Sequence, residues 1–200
     1  MVSTVEQKNA PKKERLYSLE EYLMREERSV NKHEFHQGKI IKMPGGNYKH
    51  SEIAGNLSHA LKLVVKPLPI KYRIFTSDLK IYIEAVDRAL YPDALVVCEK
   101  PQFWNGREDL IVNPLMIVEV LSPSTRTYDR GEKFLLYEQI PTFKEYVLIE
   151  QHKPHVETWF REHPTTWNKI TAADLKSQIR FRSLGVSVAL SDIYENIDFQ

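Results

Sequence analysis

The 200-residue sequence predicts a single α/β domain in which a mixed β-sheet is flanked by helices. Three observations carry this prediction. Leu115–Leu121 reads Leu-Met-Ile-Val-Glu-Val-Leu, a nearly continuous apolar run of the kind found in a central strand covered on both faces. Ile53, Leu57, Ala60, Leu61 and Val64 recur with helical period, so they form one apolar stripe. The remaining apolar segments are short, of strand length, and separated by turn-forming residues.

Taken in order, residues 1–14 are polar, contain lysines and one proline, and are expected to form a disordered tail ahead of a domain spanning 15–200. Ser18-Leu-Glu-Glu21 has the form of a capping box, opening a helix to about Glu27. Strands are expected at His33–Gln37 and Ile40–Met43 around a tight turn at Gln37-Gly38-Lys39, with a break at Pro44–Asn47. A helix over about 50–65 follows, then strands near 73–76, 78–84, 94–98 and 115–121. A helix from about Tyr128 to Gln139 must stop before Pro141. Strands near 145–150, 156–161, 167–171 and 179–181 and a closing helix over 190–197 complete the reading.

Composition narrows the function classes. Net charge is +1, from 28 Lys and Arg against 27 Asp and Glu, which excludes a protein that packages nucleic acid over its whole surface. An enzyme that binds through a local patch and releases is compatible with that balance. Cys98 is the only cysteine, so no disulfide framework exists within the chain, and its apolar neighbours mark it as a core residue. No stretch approaches the ~20 apolar residues of a membrane helix, and the N-terminus lacks a signal-type apolar core, so a cytoplasmic protein is expected.

Glu119 is the most informative residue. An unpaired charge in the middle of an apolar strand costs several kcal/mol, so this carboxyl must be protonated, paired with a cation or bound to a metal. Pro92 lacks a ladder donor and fits a strand start, leaving Asp93 where Ala94–Cys98 enters the core. Asp93 and Glu119 together suit a hard cation with oxygen ligands, Mg²⁺ or Mn²⁺. A nuclease also needs a group that aims the attacking water and stabilises charge on the phosphate. Lys133, on the helix after the Glu119 strand, is the candidate, sharing one helix face with Asp129 and Tyr137. A plain i,i+4 pair between Asp129 and Lys133 on a solvated face is the bland alternative. His50, near a helix start, could approach a phosphate there, but a helix-start or surface histidine is the commoner outcome. His33 and His36 point opposite ways on a strand, and the Ser122–Arg126 stretch reads as the loop and cap before the next helix. Trp159, Phe160 and Trp167 read as sheet packing.

The pieces Pro92-Asp93, Val118-Glu-Val-Leu-Ser-Pro-Ser-Thr125, Asp129-Arg-Gly-Glu-Lys133, Tyr137 and Glu145-Tyr146 resemble a bacterial Uma-type family named as restriction endonucleases. Glu34…Gly38, His50-Ser51 and Ser77-Asp78-Leu-Lys80 extend the resemblance over about residues 16–195. It implies a restriction-endonuclease-like fold of the PD-(D/E)xK superfamily, a DNA substrate, and Asp93 and Glu119 as metal ligands. The sequence departs from that pattern at Leu121, which stands where the lysine usually lies, two positions after the Glu. The resemblance implies that the lysine moves to the next helix, where Lys133 lies. Asp78 is then an additional ligand or a group orienting Lys133, and Glu34 a further acidic group. Cutting both strands of a duplex implies a homodimer. Two rival readings stand beside this one: a nuclease fold that binds nucleic acid or a protein without cutting, and a hydrolase of another phosphate ester.

Overall fold

The computed structural model describes residues 15–199, so the expected N-terminal tail lies outside the described residues. The Ser18 capping box is complete: the Ser18 hydroxyl accepts from the Glu21 amide at 3.1 Å, and the Glu21 carboxylate accepts from the Ser18 amide at 3.0 Å. It opens α1 (Leu19–Glu26), which is followed by the hairpin β1 (His33–His36) and β2 (Lys39–Lys42). Gln37 and Gly38 both have positive φ in the intervening turn, and a Cβ on Gly38 would lie 2.9 Å from that of Leu16. Asn47 caps α2 (Tyr48–Val65) by accepting from the His50 amide at 3.0 Å.

The strands that follow are β3 (Tyr72–Thr76), β4 (Lys80–Ile83), β5 (Arg88–Leu90), β6 (Ala94–Cys98), β7 (Leu110–Ile111) and β8 (Met116–Leu121). Two short helices, α3 (Arg126–Arg130) and α4 (Glu132–Tyr137), lead to β9 (Glu145–Glu150), β10 (Val156–His163), β11 (Thr166–Ala172), β12 (Gln178–Phe181) and β13 (Val186–Ala189). The last helix, α5 (Leu190–Ile193), is shorter than expected. The α3–α4 segment also departs from the expected single helix. At Gly131 the backbone leaves helical values (φ −114°, ψ −91°), and the chain restarts one residue later.

The strands divide between two mixed sheets and a two-stranded ribbon. The larger sheet has the order β11-β10-β9-β8-β6-β3, the smaller β2-β1-β5-β4-β7, and β12 pairs with β13. Strand β8 lies inside the larger sheet, antiparallel to β6 and parallel to β9. Parallel neighbours need a crossover, and the α3–α4 segment supplies it, folding back over the strand that carries Glu119.

Both faces of β8 are covered, which explains its continuous apolar run. Met116, Val118 and Val120 pack with Ile53, Leu57 and Leu61 of α2. Ile117 and Leu121 pack with Tyr137, Phe143 and Tyr146 on the other face. Alternation sends Glu119 to this second face, beneath the crossover. A smaller cluster of Leu19, Tyr22, Leu23 and Phe35 joins α1 to the smaller sheet. Phe134 contacts Trp159 and Trp167, so those aromatics pack the sheet as their sequence predicts. Cys98, expected in the core, is only half-buried, because it ends β6.

A charged network fastens the crossover to the outer strands. Arg130 makes a two-armed contact with Glu157 at 2.9 and 3.0 Å and reaches Glu150 at 3.1 Å. Arg126 also pairs with Glu150, while Lys169 and His155 approach Glu157 at 2.9 and 3.0 Å. Burial pushes the Glu157 carboxyl up, but the bonds from Arg130, Lys169 and His155 outweigh it and hold it at about 2. A carboxyl lowered from 4.5 contributes stability that is complete above about pH 4.5 and is lost as pH falls towards 2. Glu157→Gln is therefore expected to lower stability at neutral pH and to flatten the loss of stability below pH 4.5. Urea unfolding across that pH range reads both effects.

Candidate active site

Four elements converge on the ammonium of Lys133. It lies 2.9 Å from Glu119 Oε1, 3.5 Å from Asp129 Oδ1 and 3.6 Å from Glu34 Oε1. It also donates to the Tyr91 carbonyl at 3.3 Å. Lys133, Glu119, Asp129 and Glu34 are each 5% exposed or less, so bulk water screens these charges only weakly. The Tyr137 hydroxyl donates to the same Glu119 oxygen at 2.9 Å.

Asp93 completes the group from the next strand. Continuing the β6–β8 register by one residue places it opposite Glu119. Its amide donates to the Val118 carbonyl at 3.1 Å, and its Oδ2 accepts from the Val120 amide at 2.7 Å. The same oxygen lies 3.1 Å from His50 Nε2 in the first turn of α2. His50 is therefore beside Asp93, and not the plain surface histidine that was the favoured of its two readings. Its pKa is pulled down by burial and raised further by the bond and charge of Asp93, ending above the ordinary value.

The expected acidic residues fare differently. Glu34 joins the cluster from the smaller sheet, its Oε2 within 3.1 Å of both His36 Nε2 and the Tyr128 hydroxyl. Glu34 and His36 are two apart on one strand, so their side chains share a face. Asp78 does not join. The expected strand over 78–84 starts only at Lys80, and Asp78 sits in the β3–β4 turn, largely exposed, 3.0 Å from Lys32. Its carboxylate pairs with Lys32 and not with Lys133. Glu145 is buried elsewhere, accepting from the Arg182 and Ser183 amides and the Ser183 hydroxyl, where it anchors the β12–β13 ribbon. The Ser122 hydroxyl bonds to those of Ser124 and Thr125, closing the loop that leads into α3.

Electrostatically the cluster is overfilled with acid. Glu34, Asp93, Glu119 and Asp129 face one buried lysine and two histidines, His36 beside Glu34 and His50 beside Asp93. Burial raises the Glu119 carboxyl well above its usual range, Lys133 opposes this, and Asp129 and Asp93 add to it. Burial also lifts Asp129. Lys133 is held charged: burial disfavours its cation, but Glu119, Glu34 and Asp129 outweigh that and raise its pKa. Excess negative charge walled from water is a setting into which a divalent cation fits.

Asp93, Glu119, Asp129 and Lys133 line one cavity of about 210 Å³, bounded by the 122–125 loop and His50. A second cavity of about 590 Å³ adjoins it across Lys133, lined by Glu34, His36 and Tyr128. Among the described residues no three His, Cys, Asp or Glu side chains are gathered to hold an ion unaided. Two carboxylates fit Mg²⁺ better than a full protein cage does, because that ion keeps waters and takes further ligands from a phosphate.

The model of the Uma2 family, described as "Putative restriction endonuclease", matches residues 19–191. The chain belongs to the Uma2 family. That description gives the chain a nuclease-like function at the level of its family. Two proteins of Synechocystis sp., each described as uncharacterised, are similar to it. One, sll1609, is 37% identical over 147 residues, 74% of this chain and 82% of its own length. The other, slr1290, is 36% identical over 183 residues, 91% of this chain and 93% of its own. The crystal structure of a DUF820 nuclease from Anabaena variabilis, described as putative, superposes with a TM-score of 0.67 at 20% identity, covering 89% of this chain and 97% of that one. At that identity the likeness establishes the mixed α/β fold that the Uma2 chain shares with it. No helix among the described residues is long and apolar enough to cross a membrane.

Removing the cation from a buried cluster leaves its acids uncompensated. Lys133→Met is expected to destabilise the fold by roughly 3–5 kcal/mol in chemical denaturation. Adding Glu119→Gln to that variant is expected to recover part of the loss, because the gap between acid and base narrows.

Proposed function

We propose that this Uma2 chain hydrolyses phosphodiester bonds in DNA at a divalent cation, Mg²⁺ or Mn²⁺. The observation that carries the proposal is the convergence of Asp93, Glu119 and Lys133 on one small cavity beneath the crossover. Asp93 and Glu119 would hold the ion, which when bound supplies Lewis acidity at the phosphate. Lys133 Nζ, kept cationic by its three carboxylates, offers fixed positive charge to the phosphate oxygens as they gain charge. Its donors also orient the attacking water. Tyr137 fixes the Glu119 carboxyl at the oxygen that Lys133 also meets, and His50 helps fix Asp93. Asp129 and Glu34 balance the lysine and so preserve its protonation. Two DNA strands and one site per chain make a homodimer the natural assembly.

A second reading has its own support. Asp93 and Glu119 already hold partners within the chain, and no third ligand stands ready among the described residues. A nuclease fold that binds nucleic acid without cutting has the same appearance.

Cleavage of supercoiled plasmid with Mg²⁺ or Mn²⁺ separates the two. The wild type is expected to nick or linearise it, and Asp93→Ala, Glu119→Ala and Lys133→Ala each to lose about two orders of magnitude or more in rate. Asp78→Ala, altering an exposed turn, is expected to cut at the wild-type rate. A wild type that leaves plasmid, single-stranded DNA and RNA whole while still binding duplex would favour the binding reading.

A further inference from the structure

Gln151 follows the last residue of β9, and nothing in the hydrolytic arrangement above uses it. Its side chain is fully buried, at 0% exposure, yet neither its Nε2 nor its Oε1 has a hydrogen-bond partner among the described residues. Burying an amide without partners is costly, so such a group calls for an explanation. Its place supplies one: Gln151 lines the same cavity of about 210 Å³ as Asp93, Glu119 and Lys133. The parallel β8–β9 register pairs Leu121 with Glu150, so the next step brings Gln151 beside Ser122, at the mouth of the loop that bounds the cavity.

The other polar groups of that cavity are already engaged. Glu119 holds Lys133 and Tyr137, Asp93 holds the Val120 amide and His50, and Asp129 faces Lys133. Gln151 differs from the other neutral side chains there, such as Asn47 and Ser122, in that its two N–H donors and its carbonyl are uncommitted among the described residues. A phosphodiester presents acceptors at its non-bridging oxygens, which carboxylates repel and N–H donors receive. An amide donates without adding another ionisable group to a cavity crowded with acids.

We infer that Gln151 is a substrate-binding residue that donates from Nε2 to a non-bridging oxygen of the phosphodiester held in this cavity. The inference rests on the reading of the cavity as a phosphodiester site, but it concerns binding and not hydrolysis. Most polar side chains buried for structure's sake are bonded to the fold, and this one has both its amide atoms without a partner among the described residues.

The test uses Gln151→Leu, similar in size and free of polar atoms, and Gln151→Glu, which keeps size but adds charge. Thermal unfolding, anisotropy of a short fluorescein-labelled DNA duplex in Ca²⁺, and plasmid cleavage in Mg²⁺ are measured on the full chain. Gln151→Leu is expected to melt no lower than the wild type, because it removes an unpartnered buried amide. Its duplex affinity is expected to fall about tenfold, and its KM to rise to match. Gln151→Glu is expected to bind more weakly still. Wild-type affinity and KM in Gln151→Leu would overturn the inference. So would a fall in melting temperature in step with the loss of affinity, which marks a structural role. Duplex bound by the wild type, weakened by Gln151→Leu and cut by neither upholds Gln151 while removing the hydrolytic reading. A wild type that binds no duplex removes both.

Discussion

The arrangement of this protein depends on one buried ammonium. Lys133 stands against carboxylates drawn from three places: the centre of the larger sheet, an outer part of the smaller sheet, and the helix just before its own. Such a cation could not be buried alone, and none of those acids could be buried charged without it. Their mutual need ties together elements that hydrophobic packing alone would leave free to slide. The parallel β8–β9 pair makes this possible, since only a crossover returns a helix to the face where Glu119 points.

The larger sheet carries two charged networks with opposite balances. Around Glu150 and Glu157 the bases Arg126, Arg130, Lys169 and His155 hold both carboxylates in paired form. Around Lys133 the acids outnumber the base, and Glu119 and Asp129 are shifted towards their neutral forms. The first network has what it needs from the chain. The second keeps a surplus of acid, and a cavity lies beside it. Perturbed groups beside a cavity are the usual mark of a working site, whereas satisfied pairs mark a fastening.

Much of this was legible in the sequence, and the reasons are local. Glu119 stood out because a carboxylate interrupts an apolar run, and Asp93 because proline marks the strand entry. Strand β9 lies where its pattern put it, since burial on both faces leaves a continuous apolar segment. What escaped depends on contacts distant in sequence. Asp78 sits between two strand-like segments, and only the turn closed by the Leu79 amide on the Thr76 carbonyl takes it to the surface. His50 looked like any helix-start histidine until α2 packed beside Asp93. Gln151 carries no signal along the chain, because its lack of partners is a property of the folded interior. The short strands β5 and β7 escaped too, being three and two residues long and defined by their neighbours. The break at Gly131 had a visible cue, a glycine within a helical pattern, but a helical face still joined Asp129 to Lys133 across it.

That cluster also bears on the order of assembly. Its members run from residue 34 to residue 133, so no local segment contains it. The helices and hairpins form from near neighbours, but Lys133 meets Glu34 only when the two sheets dock. Contacts between distant residues come at the cost of closing long loops and so tend to form late. Until docking, water still solvates the ammonium and its acids, and no acid surplus is walled off. A chain caught short of that step has its local elements but not the cluster, so the Lys133 ammonium and the carboxylates that would surround it are still apart.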